Sequence, residues 1–64
     1  MKFILIGIQH NIKESRYVGL FKTPIINKNL ELELPIVEAQ FLIDSTPHDK
    51  VEMSGHVYYY FKLK

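Results

Sequence analysis

Apolar residues in this chain come in short blocks separated by polar turns, and most blocks repeat every two residues, not every 3.6. Residues 3–8 are apolar and rich in isoleucine with little alternation, which predicts a strand covered on both faces. Residues 11–15 are polar and predict a loop or one helical turn. Residues 17–23 predict a second strand with Gly19 inside it, and Pro24 places that strand at an edge or ends it. Asn27-Lys28-Asn29 suits a hairpin tip, because Asn tolerates positive φ. Residues 30–34 alternate Leu and Glu, as a half-exposed antiparallel strand does.

Beyond Pro35 the apolar phase moves by one residue, to Val37, Ala39, Phe41 and Ile43. A phase slip beside proline fits a bulge or corner. Ile36, Val37, Phe41 and Ile43 favour a strand here, whereas Glu38, Ala39 and Gln40 with Pro35 at a first turn favour a short helix over 35–44. The strand is the preferred reading. Residues 45–50 read as a loop. The longest periodic run follows: Val51, Met53, Gly55, Val57, Tyr59, Phe61 and Leu63 on one face, and Glu52, Ser54, His56, Tyr58, Tyr60, Lys62 and Lys64 on the other. An unbroken register predicts one long strand, bent or bulged at Gly55. The expected fold is all-β: a small antiparallel meander closed into a barrel or sandwich of four to five strands, with residues 35–44 as its one helix alternative. The whole of 1–64 is a single small domain without internal repeats or a linker.

Size sharpens this picture. Chains below about 70–80 residues are seldom held by one hydrophobic core alone, and this one has 64 residues. It has no cysteine for disulfides. His10, His48 and His56 lack the close spacing that zinc sites favour. Self-association, most simply as a two-fold dimer, is therefore the expected reinforcement. Met1-Lys2 and the apolar run after it resemble the start of a signal peptide, but the run ends at Gln9-His10-Asn11 and no small-residue cleavage site follows. No window reaches the ~20 apolar residues of a membrane span. These features lead us to expect a cytoplasmic protein without a membrane partner.

Net charge is +1, yet the signs are segregated. Residues 1–28 carry five basic and one acidic side chain, residues 29–49 carry five acidic and none basic, and residues 50–64 carry three Lys and one Glu. Such segregation serves either an anion-attracting face or cross-strand charge pairing. The small excess argues against a general nucleic-acid binder.

One surface stands out. His56, Tyr58, Tyr60 and Lys62 form an aromatic row ending in an ammonium group, with Lys64 beyond it. Tyrosine rings on a sheet stack bases, and lysine supplies charge for phosphate. The same row also suits a subunit interface. Ser45, Thr46, His48, Asp49 and Lys50 form a second candidate cluster for an anion, although turns want the same residues. Catalysis finds little support. His48-Asp49 and Ser54-Gly55-His56 lack triad geometry, the glycines are isolated, and no cofactor is implied. The signature motifs of cold-shock and RNA-recognition-motif proteins are absent.

The leading expectation is a non-enzymatic protein that sequesters or senses a small anionic, nucleotide-like ligand on His56, Tyr58, Tyr60 and Lys62. A viral or mobile-element inhibitor is the kind of protein this expectation describes. The alternative is a protein-binding inhibitor or adaptor acting through an edge strand near Pro24 or the acidic 31–44 stretch. A third reading is single-stranded nucleic-acid binding on the same row.

Overall fold

The computed structural model describes residues 3–23 and 29–62. They form five strands and one helix: β1 (Ile4–Asn11), β2 (Arg16–Lys22), β3 (Asn29–Leu34), α1 (Ile36–Ser45), β4 (His48–Met53) and β5 (His56–Phe61). The strands make one antiparallel sheet in the order β3-β2-β1-β5-β4. The mostly β, antiparallel fold expected from the alternation is the fold that forms. The sheet does not curl shut. β3 and β4 lie at opposite edges, and the chain passes between them through α1. The helix takes the place that a second sheet holds in a sandwich.

Residues 36–45 form a helix where strand was preferred. Pro35 stands just before it with φ −58° and ψ 141°, and its carbonyl accepts the first helical bond, from the Ala39 amide, at 2.9 Å. Proline costs a helix nothing there, because its missing N–H has no partner to lose. Packing then decides. Ala39 is fully buried, and Leu42 and Ile43 are half-buried on the same helical stripe. They rest on Ile8 and Tyr17 of the sheet, with Leu34 and Phe61 around them. The alternation over 37, 39, 41 and 43 therefore misleads, since Val37 is 80 % exposed and Phe41 67 %.

The run over 51–63 is not one strand. It folds back at Ser54-Gly55, where Gly55 takes φ +74°, and Met53 pairs with His56. A left-handed φ suits glycine, which has no Cβ to clash. The two-residue turn pairs i with i+3, an odd separation, so facing is exchanged across it. Val57, Tyr59 and Phe61 look toward the helix, whereas Val51 and Met53 share the opposite face with Tyr58 and His56.

Other expectations also shift. β1 is central, but only one of its faces is covered, because Gln9 pairs with Tyr58 on the face away from α1. β2 is an inner strand and ends at Lys22. Pro24 and the Asn27-Lys28 tip lie outside the described residues. The 45–50 loop shrinks to Thr46-Pro47, with Ser45 ending the helix and His48 to Lys50 opening β4. The Lys62 amide bonds the Pro47 carbonyl at 2.9 Å, tying that connection to the end of β5.

Burial on the helix face sets a test. Ala39→Leu should overpack the contact with Ile8 and Tyr17 and cost about 1–3 kcal/mol. Val37→Ala should stay within about 0.5 kcal/mol of the parent. Urea midpoints measure both, and a strand at 36–45 would give comparable losses at the two positions.

Candidate functional site

The face of the sheet away from α1 carries the side chains that the aromatic pattern singled out. Strand alternation places Tyr58 and Tyr60 there, with His56 before them and Lys62 after. The Tyr58 and Tyr60 rings are parallel within 6°, with centroids 5.9 Å apart. His56 is tilted 33° from Tyr58 at 6.4 Å. Gln9 on β1, directly across from Tyr58, donates from Nε2 to the Tyr58 hydroxyl at 2.9 Å. This bond fixes the ring's outer end, and the ladder fixes its root.

A shallow groove of about 260 Å³ opens beside these rings, lined by Tyr58, Tyr60, Ile6, Leu20 and Glu31 among others. A bulge makes its floor. Between Leu5 and Gly7 the β1–β2 register shifts, so the extra residue, Ile6, is left beside Leu20. Gly7 keeps β1 close to β5, since a Cβ there would lie 2.7 Å from the Tyr59 carbonyl oxygen. The chain thus brings Tyr58 and Tyr60 into one concave surface. His56 continues the row outside the groove, and its Nδ1 sits 3.0 Å from the Ser54 carbonyl. Lys62 stands beyond Tyr60 and reaches Asp49 on β4 at 3.5 Å, with both side chains mostly exposed.

No family model, curated protein or solved structure matches this chain. The site must therefore be read from its own geometry.

Two parallel rings whose centroids lie 5.9 Å apart cannot admit a third between them. A planar guest needs about 3.5 Å on each side, a slot of roughly 7 Å. His56 occupies the far side of Tyr58, so the ring open to stacking is Tyr60, which is 43 % exposed. Glu31 brings a carboxylate to the groove wall, and Lys62 brings an ammonium beyond its Tyr60 end. A planar ring with N–H donors on its edge and an anionic tail fits both. Ile6, Gln9, Leu20 and Glu31 escaped the sequence reading. They come from three strands, and only pairing and a bulge bring them together.

The second candidate cluster does not assemble. His48 Nδ1 lies 2.7 Å from the Thr46 carbonyl, Asp49 pairs with Lys62, and Lys50 pairs with Glu52 at 3.5 Å. His48 faces the helix side with Tyr59, ring edge to face at 5.3 Å, whereas Asp49 lies on the open face. Neighbours in sequence are therefore separated by the sheet. Among the described residues, no three His, Cys, Asp or Glu side chains gather as a metal site needs. No helix among them is long and apolar enough to cross a membrane. A second cleft of about 270 Å³ lies between helix and sheet, lined by Tyr17, Gln40, Ile43, Asp44 and Tyr59. It has no cationic side chain in its lining.

The Gln9–Tyr58 bond invites a double-mutant cycle with Gln9→Leu and Tyr58→Phe. A coupling of about 0.5–1.5 kcal/mol in unfolding free energy is expected for a half-buried neutral bond. Strict additivity would show that the contact does not hold the ring.

Proposed function

We propose that this protein is a non-enzymatic binder that sequesters or senses a small nucleotide-like ligand on its open sheet face. One observation carries the reading: parallel Tyr58 and Tyr60 rings line a groove with Glu31, and Lys62 stands beyond its Tyr60 end. The ligand's ring stacks on Tyr60. Its edge N–H groups meet the Glu31 carboxylate, and its anionic group draws Lys62 away from Asp49. That exchange is inexpensive, because the Lys62–Asp49 pair is solvent-exposed and such pairs are worth little. His56 extends the aromatic row from its other end. In this reading the protein acts in the cytoplasm as a homo-oligomer, and binding alone does its work, as in an inhibitor.

The acidic-surface version of a protein-binding role finds weaker support. Glu31 and Glu33 lie on β3, whereas Glu38 lies on the helix, so the acidic stretch is divided between two elements. For the edge-strand version, the strand leading to Pro24, β2, is an inner one, and the sheet edges are β3 and β4.

Isothermal titration with the four 5′-mononucleotides tests the proposal. Binding to at least one is expected, and Tyr58→Ala with Tyr60→Ala should abolish it while circular dichroism stays native-like. A folded double variant that keeps its affinity would overturn the site. Retardation of single-stranded oligonucleotides that weakens steeply with salt, without mononucleotide binding, would favour a nucleic-acid strand instead.

A further inference from the structure

The geometry points to β4 as the seam of a two-fold dimer, paired with β4 of a second copy about Val51 into a continuous ten-stranded sheet. This rests on the homo-oligomer reading above and names the surface and register that it uses.

Among the described residues no strand pairs with the outer sides of β3 and β4, the two sheet edges, and such edges recruit another strand unless something opposes it. Charge separates the two. The charged side chains of β3 are Glu31 and Glu33, both carboxylates. Pairing β3 with its own copy about Leu32 sets Glu31 against Glu33 twice. Pairing β3 with a foreign β4 puts those carboxylates on the face that carries Asp49. β4 is different, since Asp49-Lys50-Val51-Glu52 carries both signs around a valine.

The hydrogen-bond parity of β4 restricts the choice further. A two-residue turn makes Met53 and His56 a mutually bonded pair. Alternation then turns the Val51 and Asp49 amide groups inward and those of Glu52, Lys50 and His48 toward the free edge. An incoming antiparallel strand must match outward residues with outward residues. That rule keeps both helices on one side of the joined sheet and leaves only registers centred on a residue. Centring on Lys50 or on Glu52 sets like charges face to face. Centring on Val51 sets Lys50 against the partner's Glu52 and Glu52 against the partner's Lys50. Those two pairs also exchange four backbone hydrogen bonds.

Side chains agree with this register. Lys50 and Glu52 are both exposed and reach only each other along the strand, at 3.5 Å. Val51 is 39 % exposed and Met53 61 %. In the dimer the two valines meet on the axis, and Met53 lies opposite the partner's Asp49. Val51 also lies directly across β5's Tyr58, so the seam joins the two open faces. A single-strand seam buries less than the ~800 Å² per partner of a standard interface, so the dimer is reversible.

Sedimentation velocity from about 10 μM to about 1 mM reads the result, a range suited to a weak dimer. The parent protein should dimerise reversibly. Lys50→Glu and Glu52→Lys, each alone, place four like charges at the seam and should weaken dimerisation on the order of tenfold. The double variant K50E/E52K restores opposite pairs and should dimerise like the parent. An equimolar mixture of the two single variants should form heterodimers. Both positions are exposed on the monomer, and circular dichroism checks that the variants fold. A second probe uses the absence of native cysteine. Val51→Cys sits on the axis in a non-bonded pair, with Cα atoms about 4.5 Å apart, and should cross-link on mild oxidation. Asp49→Cys, displaced from its own copy by four residues, should not.

A dimer unaffected by either single charge change forms through another surface, which overturns the β4 seam and leaves self-association standing. A parent that stays monomeric throughout overturns both the seam and self-association, while mononucleotide titration still judges the ligand site separately.

Discussion

A ten-residue helix is only about 15 Å long, and a sheet of five strands is about 19 Å wide. The described residues include one such helix, and it can cover one face. Everything else in the molecule answers to that limit. Ile8, Tyr17 and Ala39 make the core where the helix lies. Among the described residues the opposite face has no layer of its own, so its side chains must remain tolerable to water while packing on one another. Tyrosine, glutamine and short aliphatic residues do this well, because each tyrosine buries a ring and keeps its hydroxyl wet. The open face is thus a consequence of size as well as a place for function.

The groove and Val51 of the β4 edge lie on the same uncovered face, with Val51 directly across from Tyr58 on the β5–β4 ladder, whereas Lys50 and Glu52 lie on the helix side. The proposed ligand uses the Tyr60 end of the aromatic row, and the proposed seam uses the opposite margin of the sheet from β3. A dimer joined at β4 leaves each groove free and sets the two open faces side by side. Strand addition also supplies what a chain of 64 residues lacks, additional paired backbone at an edge whose residues are otherwise exposed along most of its length. Ligand capture and self-association are compatible because they draw on different strands and different side chains of the sheet.

Much of this was legible along the chain. The Leu-Glu alternation over 30–34 became strand β3, with Leu34 packed on the core and Leu32 left 50 % exposed at the sheet edge, and the Tyr58–Tyr60 row lies on one face as its period of two required. The bulge at Ile6 was not legible, since an uninterrupted apolar run gives no sign of which residue is left unpaired. Residues 36–45 were ambiguous for a related reason. Val37, Ala39, Phe41 and Ile43 satisfy a strand alternation, and Ala39, Leu42 and Ile43 satisfy a helical stripe. Local preference cannot choose between two patterns that the same residues fulfil. The buried place on Ile8 and Tyr17 chooses, and it exists only after the sheet has formed.

The sequence alone determined the antiparallel β character and the alternating faces of β5, but it read 51–63 as one long strand merely bent or bulged at Gly55. It also determined that neither disulfide nor cysteine-bound metal could reinforce the chain. Tertiary structure decided that the chain reverses at Ser54-Gly55 into two paired strands, and so that Val51 and Met53 share a face with Tyr58. It decided that Gln9 holds Tyr58, that Glu31 enters the groove, and that β3 and β4 are the edges. The physical reason is one of range. Periodicity and turn chemistry act over a few residues, whereas pairing and register join positions such as Gln9 and Tyr58 that lie 49 residues apart.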